Sequence, residues 1–439
     1  MSPNHKSIQA LRAALRSDPN PGAAIIDLAQ RALSCANSNA GHNTYLWRND
    51  AWTLAEANRL AANPDTILNG NEHPLWGVPV SMKDCFDLAG APTSCGTFFY
   101  RDLNGIRQND SWLAELLRTA GAIITGKTHL HPLAYGITGE NPEFGDCLQP
   151  EDEGALTGGS SSGAAASVQE GSAFAAIGTD TGGSVRVPAA LCGLSGYRAT
   201  LGRGDWRGGS HLAASFDTFG WLFRCLEDGP LLGSLFGPTE TTGLRMPGKV
   251  AVVHDRFLHD CEPEVLTSLR RCQAELQESG LDVVTVDVDW WDESREIFAA
   301  IQAFEAAQIH WGHFAEFESS IRQRLEWGAS LSDAELVQFR SRHVDFRDRM
   351  DSLLAMHELL LLPATPVSRL AAGADHSRTR PRLLRYTAPV SLAGMPAVAI
   401  PFLKDGRPAG GMQLVAARED DARLLAVTAA IGAARKSAG

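Results

Sequence analysis

Gly158-Gly159-Ser160-Ser161-Ser162-Gly163 and, further along, Gly178-Thr179-Asp180-Thr181-Gly182-Gly183-Ser184-Val185-Arg186 are two glycine-rich turns, each carrying serine. Between them, Gly163 to Glu170 is rich in alanine and reads as a helix that begins at the first turn. The positive end of its dipole points back at Ser160. Twenty-four positions separate Ser160 from Ser184, which leaves room for one helix and one strand returning to the same sheet edge.

The flanking sequence continues the alternation. Leu75 to Val80 is apolar and flanked by proline and glycine, so it is expected to be a buried strand with Lys83 just beyond its end. Ser111 to Ala120 reads as a helix and Ala122 to Thr125 as the strand after it. Upstream, Ile25 to Ala36, preceded by the start signal Asn20-Pro21, and Ala51 to Ala62 read as helices. Downstream, Lys249 to Val253, Pro263 to Ser279 and Val283 to Val286 form a strand–helix–strand unit. Trp290 to Met356 is helical, with a capping box at Ser332-x-x-Glu335. Glu358 to Leu362, Val398 to Ile400 and Met412 to Val415 read as strands, and Asp420 to Ala434 as a closing helix. Ala371 to Arg382, polar and carrying Pro381, is expected to be a mobile loop. The pattern is α/β: a single α/β/α domain over residues 1–439, with a mixed central sheet covered by helices. Within it, residues 1–65 supply N-terminal helices, 70–225 a core and 290–356 a helical layer.

Composition narrows the partners. The chain has 439 residues, 44% of them hydrophobic, enough for a large core. Its net charge of −12 disfavours a nucleic-acid backbone or an anionic membrane as main partner. No apolar run reaches the length of a spanning helix, and Met1 to Arg16 lacks the apolar segment of a secretion signal. Eight scattered cysteines without CxxC suggest reduced thiols and a cytoplasmic location.

The turns also permit chemistry. A serine hydroxyl is a poor nucleophile until a base takes its proton. The glycines before Ser184 let successive N–H groups of Thr181, Gly182, Gly183 and Ser184 point inward, where they can hold an oxyanion. A phosphate cradle is the competing use of such a turn, but the Gly-Lys-Ser/Thr ending is missing. No histidine is placed by sequence to activate Ser184. Lysine serves as a base only if burial depresses its pKa, and Lys83 follows the apolar Val78-Pro79-Val80.

Together with the segment ending in Lys83 and Asp84, the turns resemble the amidase signature family, whose members cleave carboxamides through a Ser-Ser-Lys triad. Gly158, Gly159, Ser160, Ser161, Gly163 and Gly178 through Ser184 follow its pattern. So do Asn141-Pro142-Glu143-Phe144-Gly145, Tyr197 to Arg203, Ser215 to Asp217 with Gly220, Leu392 to Pro396 and Gly410 to Leu414. The likeness runs from about residue 70 to about 430 and is weakest over Trp290 to Arg382. It implies Ser184 as nucleophile, Ser160 on a cis peptide bond as proton relay, and neutral Lys83 as terminal base. It also implies that Ser161 hydrogen-bonds the lysine and the relay, that the helices of 290–356 cover the pocket, and that no cofactor is required. Asp180 is expected to support the turn. Arg186 is a candidate either for a substrate carboxylate or for an ion pair with Asp180, and Tyr135 and His131 are candidates for substrate contact. Ser162, Ala164, Thr157, His129, Pro132 and Arg198 depart from the pattern without removing a triad member. The histidine pairs 129/131, 310/313 and 254/259 lack a third ligand, so no metal site is expected.

The implied function is hydrolysis of a small carboxamide to a carboxylate and ammonia or an amine. Aliphatic, aryl, ureido and carboxylated amides all remain open, as does a homodimer, and ester cleavage is chemically close. A second reading is a component of an amidotransferase complex, similar to the amide-cleaving part of glutamyl-tRNA amidotransferase; the acidic charge weighs against it. A non-catalytic scaffold is a third, opposed by the intact Lys83, Ser160 and Ser184.

Overall fold

Eleven strands make one mixed sheet in the computed structural model, which describes residues 7–62, 73–237 and 245–438. In chain order they are β1 (Tyr45–Trp47), β2 (Pro79–Lys83), β3 (Ile123–Thr128), β4 (Ala175–Asp180), β5 (Ser195–Arg198), β6 (Thr218–Phe223), β7 (Lys249–Val253), β8 (Asp282–Val286), β9 (Leu359–Pro363), β10 (Ala397–Ile400) and β11 (Met412–Ala416). Their order across the sheet is β1-β3-β2-β4-β6-β5-β10-β11-β9-β7-β8. β2 runs parallel to both β3 and β4, β7 runs parallel to β8 and β9, and the middle of the sheet is antiparallel.

Helices cover the sheet, so its central strands are buried on both faces and read as continuous apolar runs. Leu359 to Leu362 show this best: all four leucines are fully buried, and each such side chain contributes about 1.5–3 kcal/mol of apolar transfer. Helix Pro263–Glu278 links β7 to β8, completing the parallel unit read from the sequence. The helical layer consists of Ser294–Ile309, Ser319–Ser330 and Asp333–His357, and the capping box at Ser332 and Glu335 is present.

Three local expectations need correction. The strand near Leu75 starts later, at Pro79, because residues 75 to 78 form a turn whose Leu75 and Gly77 N–H groups donate to the Ala120 and Gly121 carbonyls, at the end of the helix Trp112–Thr119. Lys83 is therefore the last residue of β2, not the residue beyond it. The expected loop at Ala371 to Arg382 is ordered at both ends: Leu370–Ala371 pairs with Leu156 and Ala155, and a helix begins at Thr379. Pro381 sits in that helix's first turn, where its missing N–H costs nothing. The outer parts of the 1–65 and 70–225 regions, residues 1–6, 63–65 and 70–72, lie outside the described residues.

Candidate active site

β2 lies between β3 and β4, and each of its five residues is buried. That placement carries the amine of Lys83 (0% exposed) into the interior. Its Nζ donates to Ser160 Oγ and to Thr179 Oγ1, each at 2.7 Å. Both acceptors are neutral. Burial therefore dominates and lowers the Lys83 pKa from 10.5 to about 8, with the charges of Asp180 and Asp217 opposing weakly. The neighbouring Asp84 faces a different cation, Lys127, at 2.6 Å.

Ser160 follows a cis peptide bond from Gly159. Its carbonyl accepts the His131 N–H at 3.2 Å. Ser161 does not reach the lysine: its Oγ donates to the Thr179 carbonyl at 3.2 Å, and its N–H donates to the Ser184 carbonyl at 3.2 Å. The second hydroxyl on Lys83 comes from Thr179 because β4 passes directly beside β2, with Met82 opposite Ile177. Ser161 instead stitches the two serine turns together. It packs so closely on β4 that a Cβ on Gly178 would lie 2.5 Å from its Oγ. The Ser162 hydroxyl, one of the departures from the family pattern, is buried without a partner.

The turn carrying Ser184 is held by Asp180. Its Oδ1 accepts the Gly183 N–H at 2.8 Å and its Oδ2 the Val185 N–H at 3.2 Å. Gly183 has φ of +122°, and a Cβ there would meet Thr387 within 2.8 Å, so both conformation and space require glycine. Arg186 and Arg198 each reach Asp180 Oδ1 at 2.9 Å, and all three side chains are fully buried. Burial alone would raise the Asp180 pKa; the two guanidinium groups overcome it and hold the carboxyl well below its ordinary value. Thr181 Oγ1 donates to Asp217 at 2.6 Å, and Thr387 Oγ1 donates to the Gly182 carbonyl, so the turn is braced from three sides.

This bracing revises the oxyanion donors. The Gly183 N–H is already taken by Asp180. Among the described residues, the N–H groups of Thr181, Gly182 and Ser184 have no protein acceptor. Ser184 itself is 3% exposed. Arg186 forms the ion pair rather than facing a substrate; its remaining donors go to the Thr387 carbonyl, Gln413 and Ser391.

A cavity of about 770 Å³ is lined by His131, Arg324, Trp327 and Arg380 among others. His131 links it to the serine turns through its N–H on Ser160. Burial, then the charges of Arg324 and Arg380, push the His131 pKa well below 6.5, so the ring is neutral. Tyr135 (2% exposed) lies behind the cavity, with the Arg324 guanidinium 4.2 Å over its ring. Of the three candidates for substrate contact, only His131 lines this space.

The family model for amidases matches residues 28–237 and 239–425. The chain belongs to the amidase family. Members of that family are hydrolases acting on amides, and so is this protein. It is 30% identical to indoleacetamide hydrolase of Pseudomonas savastanoi, covering 93% of this chain and 92% of that one. It is 29% identical to a glutamyl-tRNA(Gln) amidotransferase subunit of Nitratidesulfovibrio vulgaris (strain DP4), over 85% of this chain and 86% of the relative. A crystal structure of an amidase superposes with a TM-score of 0.86 at 28% identity, over 98% of this chain and all of the other.

Sequence reasoning does not single out Thr179, Asp217, Thr387, Arg324 or Arg380. Thr179 lies inside the second serine turn's own stretch, and its place on β4 beside the lysine strand is the available signal. Arg324 and Arg380 lie where the family likeness is weakest, and nothing local marks them.

Proposed function

We propose that this amidase works through an acyl-enzyme on Ser184, with Ser160 as proton relay and Lys83 as base. The observation carrying the reading is the 2.7 Å contact between a buried lysine amine and the Ser160 hydroxyl, on a turn tied by the Ser161 N–H to Ser184. Neutral Lys83 accepts the Ser160 proton while Ser160 takes the proton of Ser184. The Ser184 oxygen then attacks the amide carbon. The carbonyl oxygen becomes an oxyanion facing the free N–H groups of Thr181, Gly182 and Ser184. The proton held by Lys83 returns through Ser160 to the leaving nitrogen, which departs as ammonia or an amine. Water loses a proton along the same route, attacks the ester carbon and frees the carboxylate. No step draws on a cofactor, and one chain carries all three side chains, so the reaction needs no second copy. Eight unpaired cysteines, five of them buried, suit a reducing cytoplasm. No helix among the described residues is long and apolar enough to cross a membrane.

The relatives named as amidotransferase subunits favour a second reading, in which the same chemistry frees ammonia inside a complex on transfer RNA. Ammonia release by the chain purified alone separates the two. Turnover of small amides without partners supports the free hydrolase. Activity that emerges only when partner proteins are added overturns it.

A further inference from the structure

Among the described residues Arg380, which lines the cavity, has no ion-pair partner. Its Nε is buried without an acceptor. The side chain is largely withdrawn from water, which lowers its pKa, with the Tyr135 hydroxyl acting the other way. Arg324 lines the same cavity. Its donors go to neutral acceptors, the carbonyls of Tyr135 and Ser320 and the Ser320 hydroxyl. Among the described residues neither guanidinium forms an ion pair. Two like charges in one cavity, both partly desolvated, repel each other and are costly unless an anion joins them.

Among the described residues, the acids that line the cavity form no ion pair with either guanidinium, and only the charge of Glu318 bears on Arg324. Glu140 takes the Thr138 hydroxyl at 2.7 Å, Asp146 the Asn141 N–H at 3.0 Å, Asp375 the N–H and hydroxyl of Ser377, and Glu318 the hydroxyl of Ser320. Each is bound to its own loop. The facing histidine, His131, is neutral and adds no competing charge.

The position of Arg380 fits the reacting centre. It lies in the first turn of the helix Thr379–Leu392, four residues before Leu384 and on the same face. Leu384 covers the nucleophile turn: a Cβ on Gly182 would lie 3.2 Å from its Cδ2. Arg380 is thus about 6 Å along the helix axis from a residue that touches the turn. His131, which also lines the cavity, donates its backbone N–H to the Ser160 carbonyl. The cavity holding both arginines is thus one residue removed from the Ser160 turn, through His131.

We propose that the preferred substrate is a carboxamide with a carboxylate at its far end, and that Arg380 and Arg324 hold that carboxylate while the amide faces Ser184. This rests on the acyl-enzyme reading for the scissile group, but not for the anion site. A planar guanidinium offers paired donors that match a carboxylate's two oxygens.

The test uses the full chain and two readouts. Ammonia release is measured on the monoamides of succinic, glutaric and adipic acids and on butyramide, valeramide and hexanamide as uncharged partners. Wild type should favour at least one acid over its partner in kcat/KM. Arg380→Gln should lower kcat/KM on that acid by about 10- to 100-fold, mainly through KM, and leave the neutral amide unchanged. Binding of succinate, glutarate and adipate is followed by calorimetry, with Arg380→Gln expected to weaken it by a similar factor. Neutral and acidic amides cleaved equally well, or a variant that harms both alike, would overturn the anion site while leaving the hydrolase reading intact. Diacids that bind wild type but not Arg380→Gln, with no amide cleaved, would keep the anion site and remove the acyl-enzyme reading. Unchanged melting temperature in the variant confirms that the fold is not the cause.

Discussion

Lys83 Nζ lies 2.7 Å from Ser160 Oγ, although 77 residues separate them in the chain. The amine has only hydroxyl partners, and burial brings its pKa to about 8. Below that value it is protonated and cannot take the relay's proton. The kcat/KM of the free enzyme should therefore rise with pH along one limb with a midpoint near 8. A profile flat between pH 6 and 9 would remove lysine from the role of base.

The same burial predicts a stability gain when the amine is removed. The unfolded chain binds this proton up to its ordinary pKa of 10.5, and the folded chain only up to about 8. Stability from this group is thus lowest below pH 8 and recovers as pH rises to 10.5; the difference is about 3 kcal/mol. Lys83→Met should be inactive yet melt no lower than wild type at pH 7, with the advantage shrinking as pH rises above about 8. Scanning calorimetry at pH 7 and 10 checks the sign, and a variant much less stable at pH 7 contradicts it.

Ser184→Ala should lower turnover by more than about 10⁴-fold while leaving the melting temperature within a few degrees. The hydroxyl is not among the groups bracing its turn; Asp180, Thr181 and Thr387 do that. In wild type, hydroxylamine should divert the acyl group to a hydroxamate during turnover. A good substrate that yields no hydroxamate points to direct attack by water.

Asp180→Asn should be structural in its effect. It leaves Arg186 and Arg198 fully buried without their carboxylate, at a cost of about 3–5 kcal/mol. The native carboxylate's contribution is present above the usual aspartate range and disappears only as pH falls below it, since its folded pKa is depressed. Urea unfolding should show the full loss at every pH from 5 to 9. A loss below about 1 kcal/mol contradicts the assignment of this carboxylate as the counter-ion of both arginines.

Much of this arrangement is legible in the sequence because local chemistry dictates it. The glycine turns around Ser160 and Ser184 announce themselves, and the Ala-rich run after Gly163 folds as the helix it resembles. The apolar lead-in to Lys83 signals burial, though the strand begins four residues later than the apolar run does. What escapes depends on neighbours remote in sequence. Thr179, rather than Ser161, meets the lysine because β2 and β4 lie side by side, a relation no local spacing encodes. Thr379–Leu392 hides its helix behind Pro381 and Pro389, the first harmless in the opening turn and the second tolerated inside a buried helix. Arg324 and Arg380 meet in one cavity although 56 positions separate them in the chain, and each alone is an ordinary arginine.

Glu170 supplies a pH effect of opposite sign, away from the serines. It ends the helix that follows Ser160, and it accepts the Thr44 hydroxyl at 2.8 Å and the Ser172 hydroxyl at 2.5 Å. Burial outweighs both hydrogen bonds and raises its pKa from 4.5 to about 7. Between those values the unfolded chain loses its proton first, so stability falls as pH rises from about 5 to 7 and levels off above. Burial also raises Asp228, to about 6, which adds a fall of the same sign. Glu170→Gln keeps the shape and removes the charge. Urea unfolding at pH 5, 6, 7 and 8 should show a shallower decline in the variant, with the part due to Asp228 remaining. If variant and wild type decline in parallel, Glu170 ionises in the folded protein as it does in water, and the buried hydroxyl pair must stabilise its charged form as much as burial opposes it.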